Sequence, residues 1–551
     1  MAQTRIVPLG GLGEVGLNAL AVETAEDLVL VDFGLLFPST EHGGLDYVVP
    51  DGSYLVERRD RFRGVLLTHG HDDHVGAVPH LPRELPGAPI VGTPMTLGLL
   101  ESRFPEWARG ARNRFRALAP GGWAELGAIR AQFIRMTHSV PDACAVALET
   151  PGGTVLHSGD FRFDPTPVDG VPADEDRLGQ WGDRGVDLLC CDSTNAGRQG
   201  PVPSERAVGE AFRRLLPRAP GRVYVATFSS HVHRIQQVVE ASRDCGRRVA
   251  FLGRSVAQAV RLARRLGRLK TAPGDIVPEH RARGMPRAAL TVIVGGSQAE
   301  PGSALWRVAH GREPHHRIEP GDLVLISARV IPGNEKAVDR VVNRCIRLGA
   351  QVHLGESAGI HVSGHAGARD AVRLLERLRP KHLLPVHGEL RHLDALARTA
   401  VAWGLAPERV YRGENGQTLV LEGGTVRLGP VVTAGRRYVD RGASGDWSDG
   451  LLSERRRLGE EGVAVVVAAY RGLPGELLWG PRVTLRGVAP EDQAAQWAAE
   501  AEAAVRSHLV RAAPTAASPE ALEAEMARAL RRHFRRLAGR RPLIAATAVL
   551  G

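Results

Sequence analysis

The segment Thr68-His69-Gly70-His71-Asp72-Asp73-His74 directly follows the apolar run Gly64-Val65-Leu66-Leu67, and it restricts this chain more than any other stretch. A short apolar run of this kind reads as a buried strand. Its end is therefore held near a core, yet it carries three imidazoles and two carboxylates within six residues. Removing so many polar groups from water without partners costs several kcal/mol. The His69–Gly70–His71 pair at a strand end aims both rings at one point, and Asp73 and His74, on the turn that follows, reach a second point nearby. The fold must bring cations to this segment; the alternative is a solvated polar loop.

His138 (RMTHS), Asp160 (HSGD) and His387 (PVHGE) share the same placement, each closing an apolar strand and followed by or set among small residues. Strand ends are where a rigid scaffold presents functional loops, so the pattern gathers them on one sheet edge. With the first segment they supply five His and two Asp, enough for two divalent ions a few ångströms apart bridged by a carboxylate. Cysteine does not compete for that role. Cys144, Cys190, Cys191, Cys245 and Cys345 form no Cys-x-x-Cys, and two of them are adjacent inside an apolar strand, which excludes a disulfide framework and a thiolate zinc site.

The chain has 551 residues, room for about three or four structural units, and its 43% hydrophobic and 24% charged residues are those of a globular protein. No run of ~18 apolar residues predicts a membrane span, and the N-terminus lacks the pattern of a secretory leader; the expected location is the cytoplasm. The net charge is +10, and all but Lys270, Lys336 and Lys381 of the 71 basic residues are Arg. That balance suits a polyanionic partner, although an Arg bias also arises from genome composition.

Short strands ending in Gly, Asp, His or Ser dominate residues 1–203. From Ser204, expected to cap the helix SERAVGEAFRRLL, strands and helices alternate as in a parallel α/β unit to residue 348. Residues 349–430 return to strand-end histidines, 431–460 read as a linker, and 461–551 as a small α/β domain of strands and two helices. The stretch Gly11-Leu12-Gly13-Glu14-Val15-Gly16, with Asp32 further on, matches a dinucleotide fingerprint. That mechanism requires a helix to receive the pyrophosphate. Asn18 to Thr24 alternates like a strand instead, so a tight turn is expected.

The order HGHDDH, His138, HSGD and His387 resembles the ligand set of the metallo-β-lactamase fold, and the 227 residues between Asp160 and His387 resemble the β-CASP insertion of nucleases. Asp192 (CDSTN), His365 (HVSGH) and His387 match that group's signature positions. The stretches PLGGLGEVGLN, VDFGLLFP, TFSSHVHRIQQ, GGSQAEP, RVIPGNE, HVSGHA, PVHGE and VDRGASGD resemble the bacterial ribonuclease J family over essentially the whole chain. Two departures are Ala299 in SQAEP, where Gly is usual and where the change is expected to stiffen a turn, and Ala328 in SARVIPGNE, where Ser is common.

The resemblance implies an αββα metallo-β-lactamase sandwich, an inserted β-CASP α/β domain and a small C-terminal α/β domain. It implies one zinc on His69, His71 and His138, another on Asp73, His74 and His387, and Asp160 between them, with manganese an alternative in the active form. Asp73, Asp192 and His365 would be catalytic, His365 assisting the leaving ribose oxygen or merely orienting its loop. Ser229, Ser230, His231 and Arg234, with His361, Val362, Ser363, Gly364 and His365, would hold an RNA 5′-monophosphate; Ser230 alternatively caps a helix. Gly44, Asp46 and Asp440 match a structural calcium site. The implied activity is hydrolysis of single-stranded RNA, 5′→3′ from monophosphorylated ends and also internally, in mRNA decay and rRNA processing, by a homodimer or a dimer of dimers. A β-CASP DNA nuclease and a catalytically silent RNA-binding scaffold are the rival readings.

Overall fold

A computed structural model describes residues 2–37, 45–85, 87–331, 333–440, 449–472, 476–512 and 517–551. The described residues fall into two compact units, those within 1–36 and 48–437 and those within 37–47 and 438–551.

In the first unit two sheets face each other. One runs Thr425–Val431, Gln417–Glu422, Gln3–Gly10, Ala19–Glu23, Leu28–Val31, Phe62–Leu66, Ile90–Gly92, Phe115–Ala117. The other runs His382–Val386, Leu188–Asp192, Gly153–His157, Cys144–Thr150, Ile129–Arg135, Trp123–Leu126. Ile6, Val29, Val31, Leu66, Phe133, Val146, Leu188 and Leu384 fill the space between them. Each such side chain contributes about 1.5–3 kcal/mol by leaving water. The second sheet is apolar on both faces because helices Glu175–Arg184, Ala368–Leu378 and Leu390–Trp403 cover its back with Leu178, Trp181, Leu374 and Leu396. Strands covered on both sides lose the alternation of half-buried ones, which is why LLCC in this sheet, and likewise the fully buried LVLV of the first, read as unbroken apolar runs.

The insertion is a parallel sheet in the order Arg248–Leu252, Leu290–Val294, Val223–Ala226, Leu323–Ile326, Gln351–Leu354. Its last strand lies beyond the border expected at 348. Strand Val223–Ala226 is where the order reverses, and the loops after it and after Leu323–Ile326 flank the crevice that open α/β sheets use for ligands. Ser204 does not cap the first helix of this part. The helix is Arg206–Leu215 with Glu205 at its N-cap, and the Ser204 hydroxyl, one residue earlier, accepts the Arg206 N–H at 3.2 Å.

The second unit pairs Glu476–Arg486, Val463–Arg471 and Leu543–Leu550 in one sheet. Ala464, Val466, Ala468 and Tyr470 point alternately to one face, against Val505 of helix Ala494–Ala512 and Met526 and Phe534 of helix Pro519–Ala538. The stretch expected as a linker carries strand Arg436–Val439 and helix Asp449–Glu461. The run LLSERRRLGEE supplies good helix formers that outweigh the Gly-rich residues before it.

Candidate metal centre

Strand Phe62–Leu66 delivers Thr68 to Asp32, whose Oδ1 accepts the Thr68 N–H at 2.8 Å and whose Oδ2 accepts its hydroxyl at 2.7 Å. The HGHDDH backbone is then fixed from outside: the Asn18 N–H donates to the Asp73 carbonyl and the Phe33 N–H to the His74 carbonyl. Asp32 Oδ2 also lies 2.7 Å from His74 Nδ1. That contact holds the ring with Nε2 directed to the other ligands. Asp32 and His387 both adopt left-handed backbone, φ 58 and 55, a strain that surrounding structure must maintain.

The side chains gather into two groups that share Asp160, each group's donor atoms lying within 4.8 Å of one another. In the first, His71 Nδ1 is 3.0 Å from His69 Nε2 and 3.2 Å from His138 Nε2. Asp160 Oδ2 is 3.5 and 3.6 Å from those same two Nε2 atoms. In the second, Asp160 Oδ1 is 3.2 Å from His74 Nε2 and 2.8 Å from His387 Nδ1. Asp73 Oδ2 is 3.8 Å from His74 Nε2 and 3.3 Å from His387 Nε2. The bridging carboxylate therefore turns one oxygen to each group.

These donors suit divalent ions. Four ligands about 2.0–2.2 Å from a tetrahedral ion stand roughly 3.3–3.6 Å apart, as the first group's donors nearly do. Asp160 Oδ2 and His387 Nε2 are moreover buried without a hydrogen-bond partner, which a fold tolerates poorly unless something else satisfies them.

The two groups differ in protonation. Burial, with the neighbouring imidazoles, pushes His69 and His138 well below the usual histidine value and His71 down to about 4. Burial acts against charge on His74 and His387 too, but Asp160 and Asp73 outweigh it, holding His74 well above its usual value and His387 at about 10. The same attractions hold Asp160 and Asp73 ionised against burial.

A third group, His365, Asp192, Asp160 and His387, adjoins the second. His365 Nδ1 is 2.9 Å from Asp192 Oδ2, and its ring is partly exposed. Burial opposes its charge; Asp192 and Asp160 prevail and raise its pKa.

The expected phosphate residues take several places. Ser229 and Ser230 are half-buried before helix Val232–Asp244. Its cap is His231, not Ser230: the imidazole accepts the Arg234 N–H at 3.4 Å. The Arg234 side chain is fully buried and engaged by Glu205, the Ser327 carbonyl and His361. It does not reach into the cleft as expected, because a guanidinium at that depth needs a counter-charge. Burial, then Arg234, lowers His231 to about 3 and His361 to about 2. Val362 and Ser363 are buried, the Ser363 hydroxyl accepts the His365 N–H at 3.1 Å, and the Gly364 carbonyl accepts from His138 Nδ1 at 2.8 Å. Of the calcium residues, Gly44 lies outside the described residues; the Asp46 N–H donates to the Val439 carbonyl, and the Asp440 carboxylate is 3.5 Å from Arg455.

The sequence reading missed Asp32, which it weighed only as a ribose ligand. The signal was present: Asp32 ends an apolar strand, as Asp160 does. The Gly11–Gly16 stretch is the expected turn, with all three glycines at positive φ and strand Ala19–Glu23 next.

Four family descriptions match the chain: a β-lactamase superfamily domain over residues 44–252, the ribonuclease J β-CASP domain over 220–345, a Zn-dependent metallo-hydrolase RNA specificity domain over 357–408, and the ribonuclease J C-terminal domain over 450–550. A ribonuclease J of Mycobacterium tuberculosis is 38% identical over 508 residues, 92% of this chain and 90% of that one. The chain belongs to the ribonuclease J family. Another ribonuclease J, of Thermus thermophilus, is 39% identical over 470 residues, 84% of this chain and 82% of that one. A solved protein of unknown function from Enterococcus faecalis V583 shares the fold, with TM-score 0.52 and 16% identity over 76% of this chain and all of that one. As a ribonuclease J family member the chain is a metal-dependent ribonuclease that binds RNA and divalent metal. Among the described residues no helix is long and apolar enough to cross a membrane.

Proposed function

We propose that this ribonuclease degrades single-stranded RNA 5′→3′ from monophosphorylated ends and also cuts internally, in mRNA decay and rRNA processing in the cytoplasm, as a homodimer or dimer of dimers. The observation that carries the two-ion reading is Asp160, with one oxygen toward His69 and His138 and the other toward His74 and His387. We assign one ion to His69, His71 and His138 and one to Asp73, His74 and His387, zinc at rest with manganese as the alternative, since His/Asp donors accept both. Such ions would polarise the scissile phosphate and acidify an attacking water. The protein's own part is positional and protonic. Asp192 orients His365, which donates a proton to the departing ribose oxygen, and Asp73 and Asp160 keep their negative charge beside the imidazoles. A structural calcium on Gly44, Asp46 and Asp440 belongs to the same proposal.

Ser229, Ser230, His231 and the 361–365 loop are assigned to the 5′-phosphate. Hydroxyls and backbone N–H groups before a helix suit one phosphate group, whereas two further phosphates bring charge that has no counterpart. Arg234 serves through His361. Initial rates on matched 5′-mono-, 5′-triphosphorylated and circular RNA, each with Zn²⁺, Mn²⁺ and Mg²⁺, test the reading. Faster loss of the monophosphorylated strand, with mononucleotides released, is expected. Equal rates on the two linear RNAs would mean that no 5′-phosphate gate exists.

A further inference from the structure

Beneath the 361–365 loop lies a buried charge network that the hydrolysis itself does not use. Glu205, 4% exposed, receives Arg234 Nε and Nη2 on its two carboxylate oxygens, both at 2.9 Å. Gln237 Nε2 donates to Oε1 at 3.2 Å. The second cation is Arg162, also buried, whose Nη2 is 3.9 Å from Glu205 Oε2 and 2.7 Å from Asp164 Oδ2. Asp164 Oδ2 in turn accepts the Glu205 backbone N–H at 2.9 Å. Two guanidiniums and two carboxylates are thus locked together.

Both arginines also grip the loop. Arg234 Nη1 meets His361 Nδ1 at 2.9 Å and the Ser327 carbonyl at 2.8 Å, and the Ser327 hydroxyl donates to the Ile360 carbonyl at 2.6 Å. Arg162 Nη1 donates to the Ser363 carbonyl at 3.1 Å and the Pro203 carbonyl at 2.9 Å. The next residue, Gly364, supplies the carbonyl that orients His138, and a Cβ on it would stand 2.9 Å from that imidazole. The residue after it is His365. The loop therefore approaches the metal centre with no slack, and its height there is set by the two arginines.

We propose that Glu205 is a positioning residue for RNA cleavage: by fixing Arg234 and Arg162 it sets where the 361–365 loop places the Gly364 carbonyl and the His365 ring. Neither Glu205 nor either arginine needs to touch RNA for this. The network joins helix Val232–Asp244 and strand Leu323–Ile326 of the inserted sheet to the Arg162 segment of the metal-binding fold, so the two halves of the first unit meet through it at the active loop.

The test uses the full chain with Glu205→Gln and Arg162→Lys. Glu205→Gln keeps size while removing the charge shared by the two arginines. Arg162→Lys keeps a cation for Asp164 but loses the fork that reaches the Ser363 carbonyl. A small misplacement at a reaction centre costs on the order of 10–100-fold in rate, so kcat is expected to fall by that factor in Glu205→Gln. On circular RNA, which under the proposed function is cut internally without a 5′-phosphate, KM and the Kd for a non-cleavable analogue should stay within about twofold while kcat falls, because the Arg-rich surface that binds the backbone is untouched. Arg162→Lys should show the same split, and the double variant should be no worse than the weaker single, because both act through one loop. Wild-type kcat in folded Glu205→Gln overturns the proposal, as does an equal loss of kcat and RNA affinity. If Glu205→Gln does not fold, Arg162→Lys decides alone, and wild-type kcat there overturns it.

Discussion

Replacing Asp32 by Asn should weaken one half of the metal centre and spare the other. The substitution is nearly isosteric, and Asn tolerates the left-handed backbone at φ 58 better than most residues. The carboxylate now faces three donors: the Thr68 N–H, the Thr68 hydroxyl and His74 Nδ1. An amide has a single acceptor oxygen. If that oxygen keeps the Thr68 N–H, the amide nitrogen faces His74 Nδ1, which can accept only when unprotonated. The ring proton then moves to Nε2, the atom 3.2 Å from Asp160 Oδ1, and no lone pair remains there for an ion. If the amide flips, its nitrogen opposes a buried N–H instead. The hydrogen bond lost is charge-assisted, worth about 1.5–3 kcal/mol. Removing such a supporting partner weakens metal binding about 10–100-fold, or roughly 1.4–2.7 kcal/mol at 1.36 per tenfold, and the two routes agree. Competition titrations against a chromophoric chelator, with metal analysis after dialysis, should show one ion weakened by that factor and one retained, with the fold intact. Two ions bound at wild-type affinity would refute the tautomer argument, and equal weakening of both would mean that Asp32 only stiffens the site as a whole.

The two groups should also differ in proton release. His69, His71 and His138 are already neutral at pH 7, so an ion binding there displaces few protons. His74 and His387 hold protons until an ion expels them, so affinity at that group rises with pH through neutrality toward the His387 value of about 10; calorimetry in two buffers of different ionisation enthalpy reads the difference, and equal release at both groups would contradict it. His71→Ala should abolish cleavage while leaving RNA affinity within about threefold, since phosphate neutralisation by Arg dominates binding; filter binding and a digest of metal-repleted protein check this. Removing residues 455–551 should leave two metals bound but weaken self-association and activity, because all seven proposed metal ligands precede residue 388. An unchanged sedimentation coefficient, once corrected for mass, would remove the C-terminal domain's proposed role in pairing.

Much of the centre was legible because its chemistry is conspicuous. Imidazoles and carboxylates closing apolar strands have few structural uses, and the structure brings His69, His71, His74, His138, Asp73, Asp160 and His387 together. The supporting residues were harder to read: Asp32 does close an apolar strand, but its partners Thr68 and His74 lie far along the chain, and Glu205 is a single acid with nothing local to mark it as buried. Ser204 and Ser230 illustrate a different limit. Each sits where a cap belongs, but Glu205 and His231 start the helices, since tertiary partners hold those residues in place. Ala299 was expected to stiffen a turn, and it is buried at φ 59. That backbone costs a non-glycine residue roughly 1–2 kcal/mol, so glycine there would relax the turn.

The order in which the ligands occur along the chain has a consequence for biosynthesis. His69 to Asp160 are made early, but His387 follows the strand His382–Val386, which pairs in parallel with Leu188–Asp192 only after the whole insertion has been translated. Domains fold from the N-terminus as they emerge. A growing chain thus presents an incomplete second metal group and no His365 loop for most of its synthesis. A nascent chain therefore cannot complete its second metal group until residue 387 has been made.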